Sequence, residues 1–310
     1  MALYLIFMQD ITLKDLLEAG CHFGHKADRW HPKATEFIYQ ERGGIHIIDL
    51  AKTRSGLLEA AEYIKQFTAE GKKVLFVGTK RQAAGILKEE ATRVGAPYIS
   101  RRWIGGLLTN WDQVHKNLQK IRQLAEEEKT GAWKPYPKHE RVKLARYLGR
   151  LRQFYGGIEL MTDPPSALFI VDVHREIVAV REGMKMGTPI IGVVDTNSDP
   201  TGITYVIPAN DDAVGSLSII IKYLAQAFLE GKEEFNNNTA KAAKIAEKKE
   251  IKKTLATEIK VEPKTLEVVP VNTPTPKVKP KTKKATTQTA VKPEVVVEKP
   301  KKRGRPKKTA

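Results

Sequence analysis

Residues 74–100 confine this chain to a short list of folds. Val74-Leu75-Phe76-Val77-Gly78 is a buried-strand run, bounded by Lys72-Lys73 on one side and Gly78-Thr79 on the other. Residues 81–93 then take helical spacing, with Ala84, Leu87 and Ala91 on one face and Gly95 as the stop. Pro97 opens a second apolar run at residues 98–100, so the unit reads strand, helix, strand. In a parallel sheet such a crossover is right-handed and sets its loop residues at the carboxyl edge. That edge carries Thr79, Lys80 and Arg81, and after the second run Arg101, Arg102 and Trp103. Cations beside an aromatic ring hold phosphates, either of a nucleotide or of a nucleic acid. Gly78-Thr79-Lys80 has the letters of a phosphate loop in the wrong order, and neither G-x-x-x-x-G-K-[ST] nor G-x-G-x-x-G occurs in the chain.

The alternation returns further on. Residues 167–171 and 189–194 are buried-strand runs, 205–207 a short strand, and 175–184 and 213–228 helices. This pattern implies a mainly parallel sheet covered on both faces. Ahead of it, Thr12 caps a short helix with Asp15 in capping-box position and Gly20 ending it. Residues 37–39 and 45–50 flank Glu41-Arg42-Gly43-Gly44 as two strands about a turn, and residues 54–67 form the next helix.

Between residues 110 and 156 the pattern changes to long helices. Trp111, Val114, Leu118, Ile121 and Ala125 make a coiled-coil seam, and Leu144, Leu148, Leu151 and Tyr155 make a second. Two such helices joined by a short loop bury their seams against each other as an antiparallel hairpin, each arm about 25–30 Å long. On the returning arm Lys134, Lys138, Arg141, Lys143, Arg146, Arg150 and Arg152 face a single acid, Glu140. Lys143, Arg146 and Arg150 share one side at helical spacing, which favours RNA contact over a merely solvated face.

Two groups invite a metal. Cys21, His22, His25 and His31 are crowded together, but their spacing matches no zinc pattern, and packed or RNA-facing histidines are the reading. Asp172 and Asp195 each follow a strand run, with Asp199 nearby. Such carboxylates cap the next turn, hold a structural magnesium, or work as acid and base. No cofactor is expected; a structural magnesium near Asp172 and Asp195 is the alternative, and no metal ligand set is assigned.

The formal charge of +17 needs dividing. Residues 241–310 hold 21 Lys+Arg against 7 Asp+Glu, while residues 1–240 hold 32 against 29. The globular part is thus nearly balanced, and nucleic acid must be met there by local patches. From Asn236 onward lie eight of the 17 prolines and no aromatic residue. Residues 239–253 suit a charged helix; beyond them, low apolar content predicts disorder. Residues 301–308 contain Arg303-Gly304-Arg305-Pro306, similar to the core of an AT-hook. One cysteine, Cys21, fits a reducing compartment. No apolar run reaches membrane-span length, and residues 1–8 make a poor signal peptide.

Gly78-Thr79-Lys80-Arg81-Gln82-Ala83 and Arg102-Trp103-Ile104-Gly105-Gly106-Leu107-Leu108-Thr109-Asn110-Trp111 resemble signature segments of the bacterial small-subunit ribosomal protein two family. So do Leu16-Leu17-Glu18-Ala19-Gly20 with His22-Phe23-Gly24-His25, residues 44–50, residues 167–172 and residues 189–199. The resemblance spans about residues 10–231. It implies a flavodoxin-like three-layer α/β fold and a structural, RNA-bound protein of the small subunit, in the cytoplasm. It also implies neighbouring ribosomal proteins as partners, among them the large mRNA-binding one. The family's opening pattern begins near Met8, so translation is expected to start there rather than at Met1.

The expectation is therefore an α/β domain over residues 8–235, with the helical hairpin inserted at about 110–156 and a basic tail over 236–310. Lys80, Arg81, Arg101, Arg102, Trp103, Asn110, Lys143, Arg146 and Arg150 are its candidate ribosomal-RNA contacts. The rival is a soluble α/β nucleotide-dependent enzyme using Asp172 and Asp195.

Overall fold

A computed structural model describes the backbone of residues 11–258 and the side chains of residues 11–239. The chain divides between residues 255 and 256, and both of its sheets lie in the first part. The expected start at Met8 and the tail beyond residue 258 lie outside the described residues.

Helix α1 (Leu13–Glu18) opens on the expected capping box: Thr12 Oγ1 accepts from Asp15 N, and the Asp15 carboxylate accepts from Thr12 N at 3.0 Å. Gly20, at φ +77°, turns the chain out of it. Strands β1 (Phe23–Lys26), β2 (Ile38–Arg42) and β3 (Ile45–Ile48) form a small antiparallel sheet in the order β1-β3-β2. The β2–β3 turn is Gly43-Gly44, both residues at positive φ, which is what a tight two-residue hairpin demands. Strand β1 was not expected, because Phe23-Gly24-His25-Lys26 carries no apolar alternation.

Helix α2 (Leu50–Ala69) starts earlier than its spacing predicts, because the Asp49 carboxylate accepts from Ala51 N at 2.9 Å and caps it. A Cβ placed on its Gly56 would lie 2.2 Å from the Val206 carbonyl oxygen, so bare backbone is required where α2 crosses residue 206.

The second sheet is built from β4 (Val74–Val77), β5 (Tyr98–Ile99), β6 (Ala167–Val171), β7 (Ile190–Val194) and β8 (Tyr205–Pro208). All five are parallel, in the order β5-β4-β6-β7-β8. Every residue of β4, β6 and β7 is buried, as central strands of a sheet covered on both faces must be. Helix α3 (Arg81–Val94) links β4 to β5 and ends on Gly95 at φ +69°. Helix α6 (Ile177–Met186) links β6 to β7, and α7 (Val214–Glu258) follows β8.

Successive strand residues face opposite ways. Phe76, Phe169 and Val193 meet Leu57 and Ile64 of α2, Leu87 of α3, and Leu217, Ile220 and Leu224 of α7. Leu75, Val77, Leu168 and Ile170 join a second cluster with Ala179 and Val180 of α6. The same cluster takes Val114, Leu118 and Ile121 of α4 (Trp111–Thr130) and Leu148 of α5 (Lys138–Tyr155).

Helices α4 and α5 occupy the stretch read as a hairpin. Asn117 Nδ2 donates to Tyr155 Oη at 3.2 Å, and Lys120 Nζ lies 5.1 Å from the centre of the Tyr147 ring. Val114, Leu118, Ile121 and Ala125 of the α4 seam are buried as their spacing predicts, but Trp111 at its start and Leu144, Leu151 and Tyr155 of α5 are only half-buried. Helix α7 also differs from expectation, running unbroken through Asn236 to Glu258. The Ala-, Lys- and Glu-rich residues beyond Asn238 favour helix strongly enough to carry it past that composition break.

The loop over residues 101–110 is gathered on one α6 carboxylate. Glu182 Oε1 accepts from Trp103 Nε1 at 3.0 Å and from Gly106 N at 2.8 Å; Oε2 accepts from Leu108 N at 3.2 Å. Replacing Glu182 with Ala strands these donors in a buried site, and stability should fall by about 3 kcal/mol in urea unfolding at unchanged m-value. Glu182→Gln, which keeps an acceptor, should cost less. A loss below about 1 kcal/mol for the Ala variant would show that the loop is held by packing alone.

Candidate nucleic-acid interface

At the carboxyl edge of the parallel sheet, where α/β proteins leave an opening for ligands, this chain closes an ionic cluster. Lys80 follows β4 and caps α3 through its backbone. Its Nζ lies 3.2 Å from Asp172 Oδ2 after β6, 2.7 Å from Asp211 Oδ1 after β8, and 2.6 Å from Asp212 Oδ1. The Lys80 side chain is only 12% exposed. Burial works against its charge, but the hydrogen bonds to Asp211 and Asp212 outweigh that and hold its pKa above the ordinary lysine value.

Asp211 shows the reverse. Burial, together with the charges of Asp195 and Asp172, pushes its carboxyl up to about 7 despite Lys80. His25, from β1, sits between Asp195 and Asp212: Nδ1 is 3.1 Å from Asp195 Oδ1, and Nε2 is 3.5 Å from Asp212 Oδ2. The Nδ1 contact is short but not aligned as a hydrogen bond. The Asp195 carboxylate beside it raises the imidazole pKa against the opposing effect of burial.

Asp172 and Asp195 do not share a partner. Asp172 turns the chain at φ +66°, accepts from Arg175 N at 2.9 Å through Oδ1, and gives Oδ2 to Lys80. Asp195 accepts from Thr196 N at 2.5 Å and Asp211 N at 3.2 Å. Both are therefore turn-capping carboxylates, Asp172 paired with Lys80 and Asp195 set beside the His25 imidazole. Of the residues near the amino terminus that invite a metal, only His25 reaches this edge cluster. Cys21 is buried, which raises its thiol pKa, and His31 approaches Asp199 at 4.0 Å.

The nine candidate RNA contacts separate into two kinds. Lys80 is neutralised internally, and Trp103 is 7% exposed with its indole N–H held by Glu182. Their letters suggested a cationic, aromatic surface, but both side chains are used by the fold. Arg81, Arg101, Arg102, Asn110, Lys143, Arg146 and Arg150 are exposed.

Arg81 and Arg101 come together. They line a groove of about 610 Å³ between the first turns of α3, the end of β5 and the last turn of α5, with Lys88, Arg152, Tyr98 and Phe154. No acidic residue lines it. Gly85, between Arg81 and Lys88 on α3, places no side chain in the opening. Lys88 lies seven residues after Arg81, a spacing that returns to the same helix face and was readable in the sequence. Phe154 is 43% exposed, an aromatic face beside the cations. Lys143, Arg146 and Arg150 stand separately along α5, and none of them forms an ion pair among the described residues.

The cluster and the groove respond differently to substitution. Lys80→Met leaves buried carboxylates facing one another and should cost about 3 kcal/mol or more by denaturant unfolding. Arg81→Ala, one residue on, should change stability by no more than about 0.5 kcal/mol. Equal losses at the two positions would contradict this division.

A model of the family described as Ribosomal protein S2 matches residues 16–231. The small ribosomal subunit protein uS2c of Porphyra purpurea is 48% identical over 225 residues, covering 73% of this chain and 93% of that protein. That of Cyanophora paradoxa is 49% identical over 224 residues, covering 72% and 96%.

Proposed function

The chain belongs to the ribosomal protein S2 family and is a structural protein of the small ribosomal subunit, not an enzyme; from that premise we propose that it holds small-subunit ribosomal RNA in the groove between α3, β5 and α5. The observation that carries the reading is the groove's lining, with Arg81, Lys88, Arg101 and Arg152 and no acid. A domain of nearly balanced charge gathers four cations there; Arg152 is shared with Glu128 at 3.6 Å, while Arg81, Lys88 and Arg101 form no ion pair among the described residues and stay open to phosphate. Phe154 offers a face on which an unpaired base stacks. Arg102, Asn110 and the Lys143, Arg146 and Arg150 row of α5 extend the interface to further phosphates. The nucleotide-dependent enzyme built on Asp172 and Asp195 finds no support, since the relatives are ribosomal proteins and both carboxylates are engaged internally.

The finer architecture belongs to the same reading. The parallel strands, counted from β4, lie in the order 2-1-3-4-5, with apolar clusters on both sheet faces; this supports three flavodoxin-like layers. We take α4 and α5 as the antiparallel coiled-coil insertion, on the strength of their seam spacing and the contacts between them. The partners proposed are ribosomal RNA and adjacent small-subunit proteins, including the large mRNA-binding one, on a cytoplasmic ribosome. Among the described residues no helix is long and apolar enough to cross a membrane. The 21 cations of residues 241–310 add non-specific attraction to RNA that salt weakens.

Replacing Arg81, Lys88 and Arg101 together with Ala tests the groove. Binding to small-subunit ribosomal RNA, measured over a salt series, should weaken, and its log–log salt slope should flatten by about one for each phosphate no longer engaged. The matching Lys143/Arg146/Arg150 variant measures the α5 row in the same assay. A groove variant with the parent's affinity and slope would remove the groove from the interface.

A further inference from the structure

Among the described residues, three of the four outer sheet edges are covered. The outer side of β1 lies against the loop after β7, where His25 N donates to Thr196 Oγ1 at 2.9 Å. The outer side of β5 meets Gly157, on which a Cβ would stand 2.1 Å from the Tyr98 carbonyl oxygen. At β8, the Val206 and Pro208 carbonyls lie against Gly56 and Thr53 of α2. The fourth edge is β2, last in the order β1-β3-β2, and no group of the described residues pairs with its outer side. Tyr39, Gln40, Glu41 and Arg42 are all exposed on it, Tyr39 at 70%. An open edge is a template for another strand, and chains that must not pair there often carry Pro or Lys on it; β2 has neither.

Arg42 and Ile45 flank the Gly43-Gly44 turn, and Glu41 lies opposite His46. Hydrogen-bonded and open pairs alternate along an antiparallel ladder, and the pair that closes a two-residue hairpin is a bonded one. The Glu41 N–H and C=O therefore turn to the outer edge. Residues opposite each other share a sheet face, so Lys26, Ile45 and Arg42 form one row and Phe23, Ile47 and Gln40 the next. Phe23 is 49% exposed and Ile45 37%, and the two rows contain no acid. Neither Lys26 nor Arg42 forms an ion pair among the described residues.

We propose that the outer edge of β2 takes an extended segment of a neighbouring small-subunit protein as an added strand. The segment pairs with the Glu41 backbone, sets an acidic side chain against Arg42 and lays an apolar one against Tyr39. A peptide strand brings both a donor and an acceptor at the repeat the edge requires. Phosphate groups accept but do not donate, and would leave the Glu41 carbonyl unmet. The cations of the outer face, Lys26 and Arg42, select the acid and reject a basic segment. The proposal rests on the reading that this chain adjoins other small-subunit proteins, and it is independent of RNA in the groove between α3, β5 and α5.

The test uses small subunits assembled with the full-length chain, a benzophenone amino acid standing in place of Tyr39, and mass spectrometry to locate the photo-adducts. Adducts to one segment of a neighbouring protein, with Asp or Glu among its residues, are expected. Glu41→Pro removes the outward N–H and leaves the pairs with β3 in place, so adduct yield should fall at least about tenfold. Arg42→Glu sets like charges against the segment and should lower the yield as far, while Arg42→Lys should keep it. Both low-yield variants should melt with the parent when free; if Glu41→Pro does not fold, Arg42→Glu against Arg42→Lys decides alone. Adducts to RNA, adducts to residues 1–10 of the same chain, no adduct, or parent-like yield in Arg42→Glu would each overturn the site. Lysine-reactive crosslinks from the rest of the chain read adjacency separately. Their presence without the position-39 adduct removes β2 alone, and their absence removes the protein neighbours as well.

Discussion

One buried ammonium sets the character of this protein. Lys80 lies at the carboxyl edge of the interior strand β4 and draws together carboxylates from the loops after β6 and β8. In a parallel sheet those loops diverge unless something holds them, and the opening they leave is where α/β enzymes place their chemistry. Here the opening is filled by ion pairs, and removal of the Lys80 ammonium leaves buried carboxylates without compensation. The edge that would carry an active site is spent on structure. What faces outward is the flank of α3, beginning one residue later at Arg81.

A second carboxylate does comparable work on the other face. Glu182 organises the loop over residues 101–110 by accepting from an indole and from backbone N–H groups. With Trp103 drawn inward, Arg101 is left at the surface on the groove. The buried carboxylates Asp172, Asp211 and Glu182 turn to internal partners, and Arg81 and Arg101 are left on the surface. A globular part with 32 Lys+Arg against 29 Asp+Glu thus still presents one groove lined by no acid.

Much of the scaffold was legible because its signals are local. Val74–Val77, Ala167–Val171 and Ile190–Val194 are continuous apolar runs; Gly20 and Gly95 mark helix ends; Thr12 and Asp15 spell a capping box. Where the reading failed, the cause lies at a distance along the chain. Lys80 looked like a phosphate ligand because its three acids follow it by 92, 131 and 132 residues. Trp103 looked like a stacking platform because Glu182 is 79 residues away. Strand β1 is defined by pairing with β3 rather than by its own pattern. Lys88 was missed although its spacing from Arg81 was readable; Arg152 was read only as part of the α5 row, and its place in the groove needs the tertiary fold to bring α5 beside α3.

If RNA meets the flank of α3 and not the carboxyl edge of the sheet, photo-crosslinking of assembled small subunits will show it directly, with the adducts located by mass spectrometry. RNA adducts are expected on peptides carrying residues 81–88, 101 and 152–154, with the exposed Phe154 ring among them. Adducts confined to the loops around Asp172, Asp195 and Asp211, with the groove peptides unmodified, would contradict that placement.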